Sequence, residues 1–335
     1  MHNKKTIIRG EQASLTKNNW IIVTTINPAT KGLLKFAQNK EYNLVIVGDK
    51  KSPSSYNLLA EYLNVEKQKD LFGDFSESLP YNHYSRKNLG YLFAINKGAD
   101  IIAESDDDNI PYSSWGIVPK QEKFNFISSP RFPNVYKEFT KEFVWPRGLP
   151  LDLILSKDKN KKVKKAGEVL IWQGLADGSP DVDAIYRLVL GKNITFKKNA
   201  VLALNKQVVS AFNSQNTIWK KKAFPFLYLP HTVTFRYTDI LRSFVAQFGI
   251  WQMNGHLGFL SPTVKQERNI HNLLRDFKDE VPMYNTFYEV VEILSNCVLK
   301  GEKNDLLIMY QALFEKGVVK EQELLSVRLW LNNFK

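Results

Sequence analysis

The stretch Ala99-Asp100-Ile101-Ile102-Ala103-Glu104-Ser105-Asp106-Asp107-Asp108-Asn109-Ile110-Pro111 decides the fold. Ile101 to Ala103 is an apolar run of strand length, and Pro111 removes a backbone donor and stops any regular element soon after it. Three consecutive carboxylates therefore sit at the C-terminal end of a strand. In an open α/β sheet that edge is where ligands bind, and adjacent like charges repel unless a cation or strong donors offset them. Oxygen-rich clusters of this kind suit Mg2+ or Mn2+, which in turn hold a diphosphate. A solvated acidic turn is the alternative reading of the same residues.

Upstream, Trp20-Ile21-Ile22-Val23-Thr24-Thr25-Ile26 is a β-branched run closed by Asn27-Pro28, and Leu44-Val45-Ile46-Val47 repeats the pattern after an amphipathic stretch from Thr30 to Gln38. This is a β-α-β unit, the mark of parallel pairing in an α/β fold. Asp49 and Lys50 fall at the second strand's end, where an acid can accept from a nucleoside and a lysine can meet phosphate, or where both are ordinary turn polarity. Tyr84 to Ile95 reads as a helix capped by Ser85. Arg86 and Lys87 then occupy its first turn, where cations oppose the helix dipole unless an anion is bound nearby.

Downstream, Phe124 to Ser128 and Glu168 to Trp172 read as strands, and Trp145-Pro146-Arg147-Gly148-Leu149-Pro150 as an ordered loop presenting Arg147. Gly174 to Asp183 supplies three carboxylates in turn-forming order and is expected near a ligand. The amide-rich run Asn213 to Thr217 needs partners if it is buried. Thr238 or Asp239 would cap a helix carrying Ile240, Leu241, Phe244 and Val245 on its apolar face. Asp239 is either that cap or a carboxylate placed to take a proton from a sugar hydroxyl. From Lys265 onward apolar residues recur at helical spacing, with Gly301 and Gly317 as breaks. The expected division is residues 1–264 as an α/β domain and 265–335 as an all-helical appendage.

The chain has 335 residues, 44% of them hydrophobic, enough for such an arrangement. One cysteine, Cys297, excludes an internal disulfide framework and a cysteine metal site. The polar opening, Met1 to Asn19, leads into no apolar signal core, and no apolar run is long enough to span a bilayer, so a soluble, cytoplasmic chain is expected. The net charge of +12 fits nucleic acid, an anionic membrane surface or phosphorylated substrates as partners, but much of it is local. Lys157 to Lys165 holds six lysines in what reads as an exposed loop, with no aromatics interleaved for stacking on bases. Nucleic acid is therefore not expected. A solvated loop is the default, and peripheral contact with the anionic inner face of a membrane is the functional option.

Taken in order, Val23-Thr24-Thr25-Ile26-Asn27-Pro28, Val47-Gly48-Asp49-Lys50-Lys51, Arg86-Lys87-Asn88-Leu89-Gly90-Tyr91-Leu92-Phe93-Ala94-Ile95, Asp106-Asp107-Asp108-Asn109, the Trp145 to Pro150 loop and Thr238-Asp239-Ile240-Leu241-Arg242-Ser243 give the chain a family likeness. It resembles the STELLO-type glycosyltransferases and, more distantly, the reversibly glycosylated polypeptides that act as nucleotide-arabinose mutases. The resemblance implies a GT-A fold, a Rossmann-like nucleotide-diphospho-sugar transferase domain that binds its donor through Mn2+ or Mg2+ on an Asp-x-Asp motif. By that likeness Asp106 and Asp108 hold the metal, with His231 completing the metal or diphosphate site, although a lone histidine is more often structural. Thr25, Asp49, Lys50, Arg86, Asp106 and Asp107 would line the nucleotide pocket. Asp239 would bind the acceptor or act as base, and Arg147 would add fixed positive charge. The implied activity is transfer of a sugar, from a UDP-sugar in the first instance, to a hydroxyl of a glycan or lipid-linked acceptor in surface polysaccharide synthesis. Two alternatives stay open: a nucleotide-sugar pyranose/furanose mutase using the same pocket, and a non-catalytic scaffold binding membranes or synthase partners.

Overall fold

β1 (Asn19–Thr24) is buried along its length and feeds two cores, Trp20 and Ile22 on one face and Ile21 and Val23 on the other. This double burial is what parallel strands covered by helices on both sides require. The computed structural model describes residues 18–198, 200–267 and 272–334, so the polar opening of the chain lies almost wholly outside the described residues. α1 (Lys31–Ala37) is capped by the Thr30 side chain, and β2 (Asn43–Val47) pairs parallel with β1. β3 (Glu61–Leu63) extends the parallel set, α2 (Val65–Ser78) follows, and α3 (Lys87–Asn96) crosses back to β4 (Ile101–Asp106), which pairs parallel with β1 on its other side. Gly90 lets α3 lie close: a Cβ there would stand 2.4 Å from the Ile22 side chain.

The remaining strands make the sheet mixed. β5 (Asn109–Pro111), β6 (Lys123–Ser129), β7 (Lys161–Ala166), β8 (Glu168–Gly178), β9 (Val201–Leu204), β10 (Asn216–Lys220) and β11 (Gly255–Gln266) complete an 11-stranded sheet. Its order is β3-β2-β1-β4-β10-β8-β11-β9-β6-β7, with β5 pairing β11 off that path. β10 is antiparallel to both β4 and β8, and so joins the parallel half to the rest. The chain is thus α/β as expected, with a mixed sheet.

Two local expectations change. The lysine run is not a loop from residue 161 onward, because residues 161–166 pair antiparallel with β6 as the strand at one edge of the sheet. Gly174 to Asp177 is not a turn either. β8 continues through it, paired with β11 along its length, and the backbone first turns at Gly178, whose φ is +84°.

After α4 (Ala184–Val189) and α5 (Thr238–Gln252), the chain from Leu273 is helical: α6 (Leu273–Asn296), α7 (Asp305–Glu315) and α8 (Glu321–Leu331). Met283, Phe287, Met309, Tyr310, Val327 and Trp330 of these helices join the same hydrophobic cluster as Trp20 and Ile22. Among the described residues no helix is long and apolar enough to cross a membrane.

Candidate active site

The acid turn is built from below. β4 ends at Asp106, β5 begins at Asn109, and α1 packs against the turn so closely that a Cβ on Gly32 would stand 2.3 Å from the Asn109 carbonyl oxygen. The Thr30 hydroxyl donates to the Asp107 carbonyl at 2.5 Å. The Asp107 carboxylate is taken up in the same scaffold: it accepts from the Thr25 hydroxyl at 2.5 Å and from the Asn27 amide at 2.8 Å. Thr25 and Asp107, expected as nucleotide contacts, therefore fix the turn to the end of β1. Asp106 and Asp108 flank them at the edge of the cleft, with Asp108 accepting from the Gln266 amide at 3.1 Å.

Lys87 lies beneath the turn, wholly buried. Its ammonium donates to the carbonyls of Ser105 and Ser214, both at 3.1 Å, and to Asp106 Oδ1 at 3.2 Å. Burial pushes the Asp106 carboxyl up, Lys87 pulls it back, and the charges of Asp108 and Asp107 push it up again, to about 7. Burial is the larger part of that rise, and the neighbouring acids add a part that a cation would relieve.

The opposite wall is braced by Arg147. Its guanidinium is 4% exposed and reaches two carboxylates, Asp181 through Nε and Nη2, both at 2.9 Å, and Asp239 through Nη1 and Nη2 at 3.0 and 2.9 Å. Nη1 also donates to the Arg236 carbonyl. Asp239 lies in the first turn of α5 but does not cap it. Its carboxylate turns to Arg147, to the Ser214 N–H at 3.2 Å and to the Tyr84 hydroxyl at 3.2 Å. Burial would raise the Asp181 carboxyl, but Arg147 and Arg236 overcome this and hold it at about 2. Arg236 in turn pairs with buried Glu280 at 2.8 Å. Arg147 is thus a brace between two acids, its charge already matched, and not the free cation that its loop suggested.

Acid turn and braced acids face one another across a cleft of about 220 Å³ at the carboxyl ends of β1, β4 and β11. Asn213, Ser214 and Gln215, the expected amide-rich run, form its floor. They are buried with partners: Asn213 N–H on Gln173, Gln215 side chain on Asn109. Larger grooves, such as one of about 690 Å³ along α6 and α7, lie away from these acids.

Four expected site residues lie elsewhere. Asp49 accepts from the N–H groups of Lys50 and Asn82, both at 2.7 Å, and the Lys50 ammonium sits 3.9 Å from the Tyr81 ring centre, so both serve the turn after β2. Arg86 is 1% exposed and spends its guanidinium on Gln68, Ser76 and the Leu79 carbonyl, sealing α2 onto α3. Its helix starts differently too, with a 3₁₀ turn over Tyr84–Arg86 for which the His83 side chain, not Ser85, is the cap. His231 bonds Ser326 through Nε2 at 2.9 Å and donates its N–H to Glu323, and burial lowers its pKa. It belongs to the docking of α8 and not to the acid turn. Among the described residues no three His, Cys, Asp or Glu converge as a ready-made metal cage.

Sequence reasoning did not single out Gln266, Phe235 or Arg236, which line the cleft; Asp181 lay within the Gly174 to Asp183 stretch expected near a ligand, and Lys87 was noted only as a first-turn cation beside Arg86. Asp181 had a usable signal, since Gly178-Ser179-Pro180 breaks the chain just after an apolar strand pattern. Lys87 had the same signal as Arg86, a cation in the first turn of a helix.

Residues 236–335, which begin at Arg236 of the cleft, match the family of STELLO glycosyltransferases. Over 348 aligned residues the chain is 26% identical to STELLO1 of Arabidopsis thaliana, described as a probable glycosyltransferase, an alignment covering 96% of this chain and 45% of that protein. STELLO2 of the same plant, described likewise, is 27% identical over 307 residues, covering 84% of this chain and 40% of its own length. The chain spans less than half the length of these two relatives. The chain is thus similar to STELLO-type glycosyltransferases through its helical C-terminal third, and at lower identity over nearly its whole length.

Proposed function

We propose that this chain is a metal-dependent glycosyltransferase of GT-A type that moves a sugar from a nucleotide-sugar to a hydroxyl of a glycan or lipid-linked acceptor. The observation that carries the reading is the pairing of an acid turn at the sheet's carboxyl edge with two Arg147-braced carboxylates across one cleft. The relatives' description as probable glycosyltransferases supports it.

The donor set suits Mn2+ or Mg2+, which bind through one or two carboxylates and leave the remaining positions to phosphate oxygens and water. Asp106 and Asp108 would hold the ion, and the elevated Asp106 carboxyl fits a site whose charge is balanced on loading. Such an ion supplies Lewis-acid stabilisation of the departing nucleoside diphosphate. Lys87 keeps Asp106 aimed at the cleft, and Thr25 and Asn27 keep the turn from rotating about Asp107. On the far wall Asp239 receives the acceptor hydroxyl and takes its proton as the hydroxyl attacks the anomeric carbon. Arg147 fixes the orientation of both carboxylates so that no reorganisation is needed at that step. The exposed lysines of β7 are suited to peripheral contact with an anionic membrane carrying a lipid-linked acceptor.

The test is a calorimetric and thermal-shift screen of UDP-, GDP-, CMP- and dTDP-linked compounds with and without Mn2+, on the natural chain and on Asp108→Ala. One nucleotide should bind only with the metal, and Asp108→Ala should lose that binding while melting as the natural chain does. An isomeric product formed from nucleotide-sugar alone would make the chain a mutase. No binding to any of the compounds would leave the scaffold reading.

A further inference from the structure

Phe235 stands 46% exposed on the wall of a cleft whose other lining side chains are almost all polar. Its exposure does not come from a loose loop. On one side of it, Glu323 of α8, itself wholly buried, accepts from the Tyr228 hydroxyl at 2.5 Å and from the N–H groups of His231 and Thr232 at 3.1 and 2.8 Å. On the other side, the Thr234 hydroxyl donates to the Asp279 carbonyl at 2.5 Å, and Arg236 is paired with Glu280 of α6. The rings of Tyr84 and His83 close on Phe235 edge-to-face, with centroids at 4.7 and 5.2 Å, and hold its plane.

Leaving about half of a phenylalanine ring in water forgoes apolar burial that folding would otherwise gain. The clamps therefore hold an apolar face where folding alone would hide it. An exposed apolar face among convergent polar groups is the usual make-up of a ligand wall. The neighbouring polar groups say what kind. Tyr84 links the ring to Asp239, Asp181 lies on the far side of Arg147, and the Arg147 and Arg236 guanidiniums are already paired with carboxylates, so what this wall still offers a ligand is chiefly carboxylate oxygens, which accept and do not donate. A nucleobase edge carrying carbonyl oxygens is repelled by such a surround. A pyranose ring offers one face of C–H groups and a rim of donating hydroxyls, and matches both parts.

We propose that Phe235, steadied by Tyr84, is the stacking surface for a sugar ring of the acceptor, and that α6 and α8 hold this subsite in place. The inference rests on the transferase reading for the ring's role, but not for its binding. Saturation-transfer NMR on the full chain, with methyl pyranosides of glucose, galactose, mannose and xylose in the presence of UDP and Mn2+, tests it. At least one pyranoside should bind through its ring C–H protons, Phe235→Ala should weaken it about fivefold, and Phe235→Tyr should restore it. Nucleotide affinity and melting temperature should not move in either variant.

Absence of any pyranoside signal, or a signal that survives Phe235→Ala, would overturn the proposal. So would a loss of nucleotide affinity in Phe235→Ala, which would place the base on the ring. Pyranoside binding by a chain that takes up no nucleotide at all would sink the transferase reading and leave the sugar subsite standing.

Discussion

Arg242 of α5 and Glu104 of β4 meet with both side chains wholly buried, through Nη1 to Oε2 at 2.9 Å and Nη2 to Oε1 at 2.8 Å. Trp219 donates to Oε1 at 2.9 Å, and the Tyr91 hydroxyl donates to Oε2. Burial acts against the Arg242 charge, but Glu104 and Tyr91 more than offset it and raise its pKa. Replacing Arg242 by Met leaves a carboxylate in the interior with two neutral donors. Breaking one side of a buried pair costs about 3–5 kcal/mol, whereas replacing both partners by apolar residues of like volume is close to neutral. For a chain of 335 residues, an unfolding entropy of about 2.1 cal/mol/K per residue converts 4 kcal/mol into a fall in Tm of about 6 °C. The assay is urea unfolding and calorimetry at neutral pH on Arg242→Met, Glu104→Leu and the double variant. Each single variant should lose about 3–5 kcal/mol, and the double variant should come back to within about 2 kcal/mol of the natural chain. A loss below about 1 kcal/mol in Arg242→Met, or a double variant that shows the sum of the single losses, would refute the reasoning.

The other expectations concern charge. The folded Asp181 pKa of about 2 lies below its ordinary value of 3.8, so its contribution to stability is fully present above pH ~4 and is lost as pH falls towards 2. Arg147→Lys removes the fork that holds Asp181 down, and should move the acid-unfolding midpoint, followed by circular dichroism, up by as much as about one pH unit. An unmoved midpoint would show that Arg236 alone suffices. If the lysines of β7 meet a membrane, the chain should sediment with phosphatidylserine-containing vesicles at low salt, and Lys161→Glu with Lys164→Glu should abolish this. Pelleting that ignores both salt and substitution would count against the contact.

The legible part of the fold was its parallel half. Trp20 to Thr24 and Leu44 to Val47 are buried on both faces and so show as unbroken apolar runs, and Asp106 to Asp108 could be placed at a strand end without knowing any partner. The hidden part depended on distant pairing. Asn216 and Thr217 read as polar loop, yet they are the start of β10, satisfied by Gln173, Leu175 and Thr263 from strands far away in sequence. The lysines of β7 hid a strand because an edge strand can keep charge on its surface, and such charge also deters pairing with another chain. At the site, the types of residue were readable but not their engagements. Arg86 and Arg147 look alike as cations in sequence, and only the structure shows the first sealing two helices and the second holding two cleft acids. Residues such as Phe235, which matter by being left uncovered, give no periodic signal at all.

The antiparallel β10 has a consequence for the order in which this protein comes into being. The strands β1 to β4 can pair as soon as residue 106 is made, and they are held together by local parallel crossovers. Apart from β5 on β11, the only sheet link among the described residues between that half and β8, β11, β9, β6 and β7 is β10, residues 216–220. Asp106 to Asp108 lie in the first half, whereas Asp181 follows β8 in the second. The cleft is therefore a seam that does not exist until β10 zips the halves together. A ribosome stalled before residue 216 should carry a paired parallel half beside an open β4 edge, and limited proteolysis of such chains should find β1 to β4 protected while β8 is still cut.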